Sequence, residues 1–305
     1  MTPSETKVVR FDWAMKYFLR NKANFDLLEG FLSELLHTDI KIDQLLESES
    51  TPTHEKAKLT RVDLLADTDK GKVIIEVQVD READYLSRIL FGSAKAVTDY
   101  IHKGDPYHKI QKIYSVSILY FDLGQGSDYL YHGKTEFRGI HNHDLLGLND
   151  KEKKVYQQPV QTPSDIFPEY YLIKVNQFRN SIKEKFDEWM YFFKNESIPS
   201  DFTAKGLQSA AQKLALVKMD DAQRSAYDRY MMDLSYENSM IESSYLDGMA
   251  DGEARGEARG EARGEARGEA KLILSMHQNG CTRQQISQFT GLSLEKIQGL
   301  LDQEL

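Results

Sequence analysis

The chain has 305 residues, 40% hydrophobic and 29% charged, with 7 prolines and a formal net charge of −9. That composition suits one large domain or two ordinary ones and excludes a wholly disordered or collagen-like chain. Apolar runs such as Val73 to Ile75 with Val77 are far shorter than the roughly 20 residues of a membrane span. No basic-then-apolar leader opens the sequence, and the single Cys281 excludes an internal disulfide, so a cytoplasmic protein with no membrane partner is expected. The acidic balance argues against non-specific coating of nucleic acid, but not against an enzyme that grips DNA locally and uses a few acids to hold a divalent metal.

From the N-terminus, Phe18, Phe25, Leu28, Phe31, Leu32, Leu35 and Leu36 recur at helical spacing between Asp12 and Leu36, with a break at Asn21 to Asn24. Two β-rich runs follow, Leu59 to Asp67 and Lys72 to Val79, joined by Thr68-Asp-Lys-Gly71, which reads as a hairpin turn. Asp84 to His102 reads as a helix closed by Gly104 and Pro106. Ile113 to Phe121 and Tyr170 to Val175 read as buried strands, and residues 200 to 247 as almost entirely helical. Strands bracketing helices imply an α/β mixed sheet with helices on its faces.

The hairpin carries the chemistry. Glu76 and Gln78 lie two apart on one strand and share a face, while Ile75, Val77 and Val79 fill the other. In the simplest hairpin register Asp63, in the preceding strand, lies near them. A buried carboxylate is costly unless it is paired or binds metal, and two convergent carboxylates repel until a cation joins them. Mg²⁺ suits one or two carboxylates with waters and phosphate oxygens and would activate water for phosphodiester attack. A half-exposed strand with its polar face in solvent explains the same alternation.

The pattern Asp63, turn, Glu76-Val-Gln78 looks like the D…(D/E)xK core of PD-(D/E)XK nucleases with glutamine in place of lysine. Taken with Phe11-Asp-Trp-Ala-Met-Lys16, Asn24 to Leu32, Arg61-Val-Asp-Leu-Leu65, Arg88, Tyr100 and Val116-Ser-Ile118, it resembles the Rpn family of recombination-promoting nucleases, also described as transposases. The resemblance covers roughly residues 8 to 195. It implies a restriction-endonuclease-like mixed sheet flanked by helices, followed by a helical region and a small helical tail. It also implies a Mg²⁺-dependent DNA endonuclease, with Ca²⁺ or Mn²⁺ as alternative metals and DNA as partner. Asp63 and Glu76 would be ligands, with the Val77 backbone carbonyl as a third. Gln78 would orient the attacking water through its amide. Lys16 or Arg88 would supply the missing charge on a phosphate, although a solvated or paired side chain is the plainer reading of both. Asp12 fits a second metal or a helix N-cap equally. The alternative to an enzyme is an oligomeric DNA-binding or regulatory protein that keeps the nuclease fold without its activity.

The remaining signals are weaker. His102, His108, His132, His141 and His143 lack zinc-ligand spacing and read as loop histidines. Gly124-Gln-Gly126 lacks the rest of a phosphate loop and reads as a turn. From Gly252 the sequence repeats GEAR four times and ends on Gly268-Glu-Ala-Lys271. Its i,i+4 pairs are like with like, and each glycine costs a helix about 1 kcal/mol. The repeat is therefore a self-associating helix or a spacer. Beyond it, Thr282 and Ser293 cap two short helices in a helix-turn-helix spacing that favours packing or oligomerisation over DNA reading. The expected organisation is a nuclease domain at 1–195, a helical extension at 196–247, the repeat at 248–271 and the tail at 272–305, with a homo-oligomer formed through the C-terminal helices.

Overall fold

The computed structural model describes residues 5–46, 64–101, 103–156 and 160–302. In chain order the elements are β1 (Glu5–Lys7), α1 (Phe11–Tyr17), α2 (Phe25–Leu36), β2 (Ile42–Leu46), β3 (Leu64–Thr68), β4 (Gly71–Gln78), α3 (Tyr85–Asp99), β5 (Ile113–Leu119), β6 (Leu130–Gly133), α4 (Asp150–Lys153), β7 (Glu169–Lys174), α5 (Lys185–Asn195), β8 (Ser197–Pro199), α6 (Leu207–Lys213), α7 (Asp221–Gln278), α8 (Arg283–Thr290) and α9 (Leu294–Asp302). The chain forms two compact units, residues 1–228 and 229–305.

The first unit is built on a mixed sheet of order β2-β3-β4-β5-β7-β6, and β1 pairs separately with β8. β3 and β4 form the expected antiparallel hairpin, with Thr68 opposite Gly71. The turn needs glycine at its exit, because Gly71 has φ +138 and a Cβ there would stand 2.4 Å from the Lys112 carbonyl oxygen. β4, β5 and β7 run parallel, which requires crossover connections, and α3 supplies the one between β4 and β5.

Both faces of β4 are buried. On one, Ile74 packs with Leu65, Ile113 and Ala96 of α3. On the other, Val73, Ile75 and Val77 are buried, and α1 packs against the strand. α1 belongs to an aromatic layer in which Phe11 meets Phe31 of α2 at 6.0 Å and Phe193 of α5 at 4.3 Å. Such ring pairs add to simple area burial, so this layer fixes the first helix against the sheet.

Several expectations are corrected. The helix read as Asp84 to His102 runs from Tyr85 to Asp99. Residues 200–247 are not continuously helical: an irregular stretch separates α6 from α7, because Ala215 leaves helix to bridge Val8. The short strands β1, β2, β6 and β8 were not legible, since three to five residues carry too little alternation. His132 is not in a loop: it lies on β6, stacked on Tyr171 at 4.5 Å and bonded to Glu169 at 2.9 Å.

In the second unit, α7 is helical through the entire repeat, whose residues are exposed up to Arg267. Its last turns meet α8 and α9 through Ile273, Ile286, Ile297 and Leu301. Thr282 and Gln285 form a capping box at α8, and Gly291 ends that helix at φ +75.

Candidate active site

The polar row of β4 is where the sheet departs from an apolar core. The parallel register sets Glu76 beside Ser117 and Gln78 beside Leu119. These side chains face the layer formed by the start of α3, where Tyr85 and Ile89 pack with Leu119 and Phe121. Glu76 is only 3% exposed, so its charge needs partners. The Tyr85 hydroxyl donates to Glu76 Oε2 at 3.3 Å, and Arg88 Nε lies 3.7 Å from the same oxygen. Arg88 Nη1 also donates to Glu82 at 2.7 Å.

The electrostatics follow from this packing. Burial, then the negative charge of Glu76, pushes the Tyr85 phenol well above its ordinary range, so it stays a donor. Burial opposes the charge of Arg88, but the Glu82 bond and the field of Glu76 outweigh it and hold the guanidinium above its usual value.

Gln78 is half-buried near the end of the strand. Among the described residues its side chain bonds through Nε2 to the Asp80 carbonyl at 3.2 Å. Its own carbonyl accepts from the Tyr120 backbone N–H at 2.9 Å. The Tyr120 ring in turn lies under the Arg10 guanidinium, 4.8 Å from its centroid.

Arg10 leads to Asp12. Asp12 is not the N-cap of α1, as the sequence allowed: Arg10 occupies that position, and Asp12 lies in the first helical turn. Its carboxylate is paired with Arg10 at 2.9 Å and accepts from the Trp13 N–H at 2.8 Å. Arg88 is engaged by two carboxylates, the paired side chain that is the plainer reading of its sequence. Lys16 belongs to α1, but its side chain lies outside those described, and Asp63 lies outside the described residues altogether.

Among the described residues, no group of three or more His, Cys, Asp or Glu side chains forms a metal cage. The donors that are described still suit a hard cation: Glu76 and the Val77 carbonyl offer oxygen, the ligand type of Mg²⁺ and Ca²⁺. Ser117 Oγ, beside Glu76 in the register, is buried next to the Tyr85 hydroxyl.

A cleft of about 350 Å³ opens at the other end of β4 and β5, beside Lys72 and Lys112. Lys72 is held by Asp67 at 3.2 Å and Lys112 by Glu169 at 2.8 Å, so these buried lysines serve the sheet.

A family model for PD-(D/E)XK nuclease family transposases matches residues 9–162, which include β4 and its polar row. The chain belongs to that family. Its mixed sheet with flanking helices is restriction-endonuclease-like, in line with the Rpn resemblance, and the family is nuclease-like in function. No curated protein and no solved structure matches the chain.

Sequence reasoning missed Tyr85, Glu82 and Ser117. Tyr85 and Arg88 are three apart, one helical turn, so they share a face. Ser117 shares the parity of Ser115 in an otherwise apolar run. Those signals were present, but only the β4–β5 register joins them to Glu76.

Proposed function

We propose that this PD-(D/E)XK protein is a divalent-metal-dependent DNA endonuclease that hydrolyses phosphodiester bonds and so promotes DNA breakage and recombination, in a mobile-element or defence setting. The observation that carries this reading is Glu76: a carboxylate buried in the sheet, hydrogen-bonded by Tyr85 and ion-paired with Arg88 from α3. Asp63 directly precedes Leu64, whose strand partner Ile75 directly precedes Glu76. This adjacency supports Asp63 as the second carboxylate.

In this reading Asp63, Glu76 and the Val77 carbonyl hold the metal. Mg²⁺ is the first choice, with Mn²⁺ and Ca²⁺ as substitutes, and the bound cation supplies Lewis acidity and an activated water. Gln78 orients that water: its amide accepts or donates without bringing a charge. Tyr85 and Arg88 hold the Glu76 carboxylate from α3 by a hydrogen bond and an ion pair. Arg88 and Lys16 are the cations proposed to face phosphate, and Asp12, paired with Arg10, is the acid proposed for a second metal.

DNA is the proposed substrate and the cytoplasm the proposed location. Among the described residues, no helix is long and apolar enough to cross a membrane. We assign the nuclease domain to 1–195, with a helical extension at 196–247, the repeat at 248–271 and a helical tail at 272–305. Self-association is assigned to the C-terminal helices. A nuclease-fold protein that binds DNA or regulates without cutting is the second reading, and it draws on Gln78, which brings no positive charge to a transition state.

Plasmid nicking with and without Mg²⁺, wild type beside Asp63→Ala, separates the two. Metal-dependent nicking lost in the variant supports the endonuclease; DNA binding without nicking by the wild type supports the second reading.

A further inference from the structure

Tyr85 is the first residue of α3 and is fully buried. Its ring meets Phe121 edge-on at 5.8 Å and packs with Ile89 and Leu119. A phenylalanine would satisfy every one of those contacts. The one atom that distinguishes tyrosine at this position, the hydroxyl, donates to Glu76 Oε2. One helical turn later Arg88 approaches the same oxygen, while its other arm is tied to Glu82. Rotation of a carboxylate about its last bond is otherwise broad and nearly two-fold, so a hydrogen bond and an ion pair on one oxygen select an orientation.

We infer that Tyr85 is a positioning residue of this site, with Arg88 as a second brace: through Oε2 they set the Glu76 carboxylate in the orientation in which it receives a divalent cation. This rests on the assignment of Glu76 as a ligand. The two residues act from outside the metal's own shell, where partners that orient a ligand commonly change affinity by about 10- to 100-fold. It follows that α3 is more than a cover for the sheet. Its first turn connects the packing of the apolar cluster around Leu119 to the geometry of the site, so the metal affinity of Glu76 depends on how that turn is seated.

The test is Mn²⁺ binding by calorimetry on the full chain, comparing wild type, Tyr85→Phe, Arg88→Lys and Glu76→Gln, with thermal melting of each. Tyr85→Phe is expected to melt slightly below the wild type, because buried Glu76 loses its donor, and to bind Mn²⁺ about tenfold more weakly. The Mn²⁺ needed for half-maximal plasmid nicking should rise in proportion, and the rate should recover at saturating metal. Arg88→Lys, which keeps the charge but loses the planar fork, should give a smaller loss of about threefold, below that range. Mn²⁺ binding that vanishes in Glu76→Gln but is unchanged in Tyr85→Phe and Arg88→Lys overturns the positioning role while leaving the site in place. A lower melting temperature in Tyr85→Phe with unchanged affinity overturns it too, because the hydroxyl would then serve stability alone. Binding undiminished in Glu76→Gln overturns the ligand assignment, and the positioning inference falls with it.

Discussion

Strand β4 and the repeat of α7 are both strictly periodic, and the two periods do opposite things. In β4 a period of two sorts Glu76 and Gln78 from Ile75 and Val77, and both rows are covered by helices. Burial then obliges each polar group to find a partner, so Glu76 has Tyr85 and Arg88. In the repeat a period of four runs against 3.6 residues per turn, so the glycine, glutamate and arginine rows wind around a straight helix. A Cβ added at Gly252, Gly256, Gly260 or Gly264 would meet nothing within 4 Å. A substitution in β4 therefore has a local address in the fold, whereas one in the repeat acts only through whatever joins it.

The largest expected effect tests the β4 side of that contrast. Asp63→Ala and Glu76→Gln should each lower metal-dependent nicking by more than about 100-fold; unchanged nicking in either would remove the proposed site. The stability of Asp63→Ala and Glu76→Ala should differ. By itself, loss of one carboxylate relieves repulsion and should leave the metal-free protein as stable as before or more so. For Glu76→Ala the neighbours reverse that sign: the buried Tyr85 hydroxyl loses its acceptor and Arg88 loses a counter-charge. A penalty of about 1–3 kcal/mol follows for a donor left unsatisfied, visible as a lower melting temperature without metal.

Next in size is Lys112, at the far end of the same sheet. It is 6% exposed, and its ammonium is shared among the Ser164 and Phe167 carbonyls and Glu169. Lys112→Ala leaves the half-buried Glu169 carboxylate without its main cation and should destabilise the first unit by about 1–3 kcal/mol, measured by denaturant unfolding, with metal affinity untouched.

Glu169 gives a smaller, pH-dependent effect. Burial raises its pKa, but hydrogen bonds from Lys112 and His132 outweigh that and hold the carboxyl below its ordinary 4.5. A carboxyl depressed in the folded state stabilises the fold above its unfolded pKa, and that stability is lost as pH falls through the lower folded value. The loss should therefore begin near pH 4.5 and complete below it. Glu169→Gln should flatten the acid limb of the melting curve; an acid limb identical to wild type would assign it to other carboxylates.

How much of this was legible follows the same contrast. The hairpin, α3, β5 and β7 could be read because their apolar patterns are long and their turns carry Gly71, Gly104 and Pro106. The choice of Glu76 and Gln78 came from the family resemblance; period two only set the two on one face. Tyr85 and Ser117 were not legible as site residues, because a tyrosine at helical spacing and a serine in a strand are ordinary until a register brings them to one carboxylate. Asp12 misled for a related reason: an acid near a helix start reads as a cap, and only Arg10, two residues earlier, makes it an ion pair. The short edge strands are defined by their partners, such as Ile42 of β2 opposite Thr68 of β3, and no pattern inside them shows it.

The last prediction concerns the repeat, where the effect on each nuclease core should be smallest and the effect on assembly decides the reading. Along α7 the glutamates from Glu253 to Glu269 and the basic residues from Arg255 to Lys271 lie on opposite flanks of the glycine row. In a parallel pair of such helices opposite flanks meet across the seam, so glutamate faces arginine; in an antiparallel pair like faces like. Converting Arg255, Arg259, Arg263 and Arg267 to glutamate should therefore drive a parallel assembly toward monomers. Added salt should partly restore it, because exposed charges are screened over about 8 Å at physiological ionic strength. Nicking per core should persist, and double-strand breaks should fall away only if two subunits cut together. A spacer behaves differently: its mass by light scattering would ignore the charge reversal, and deletion of two or three repeats would change little. An oligomer unaltered by the four substitutions removes the paired helix and leaves a tether, in which glycine every fourth residue serves length and not contact.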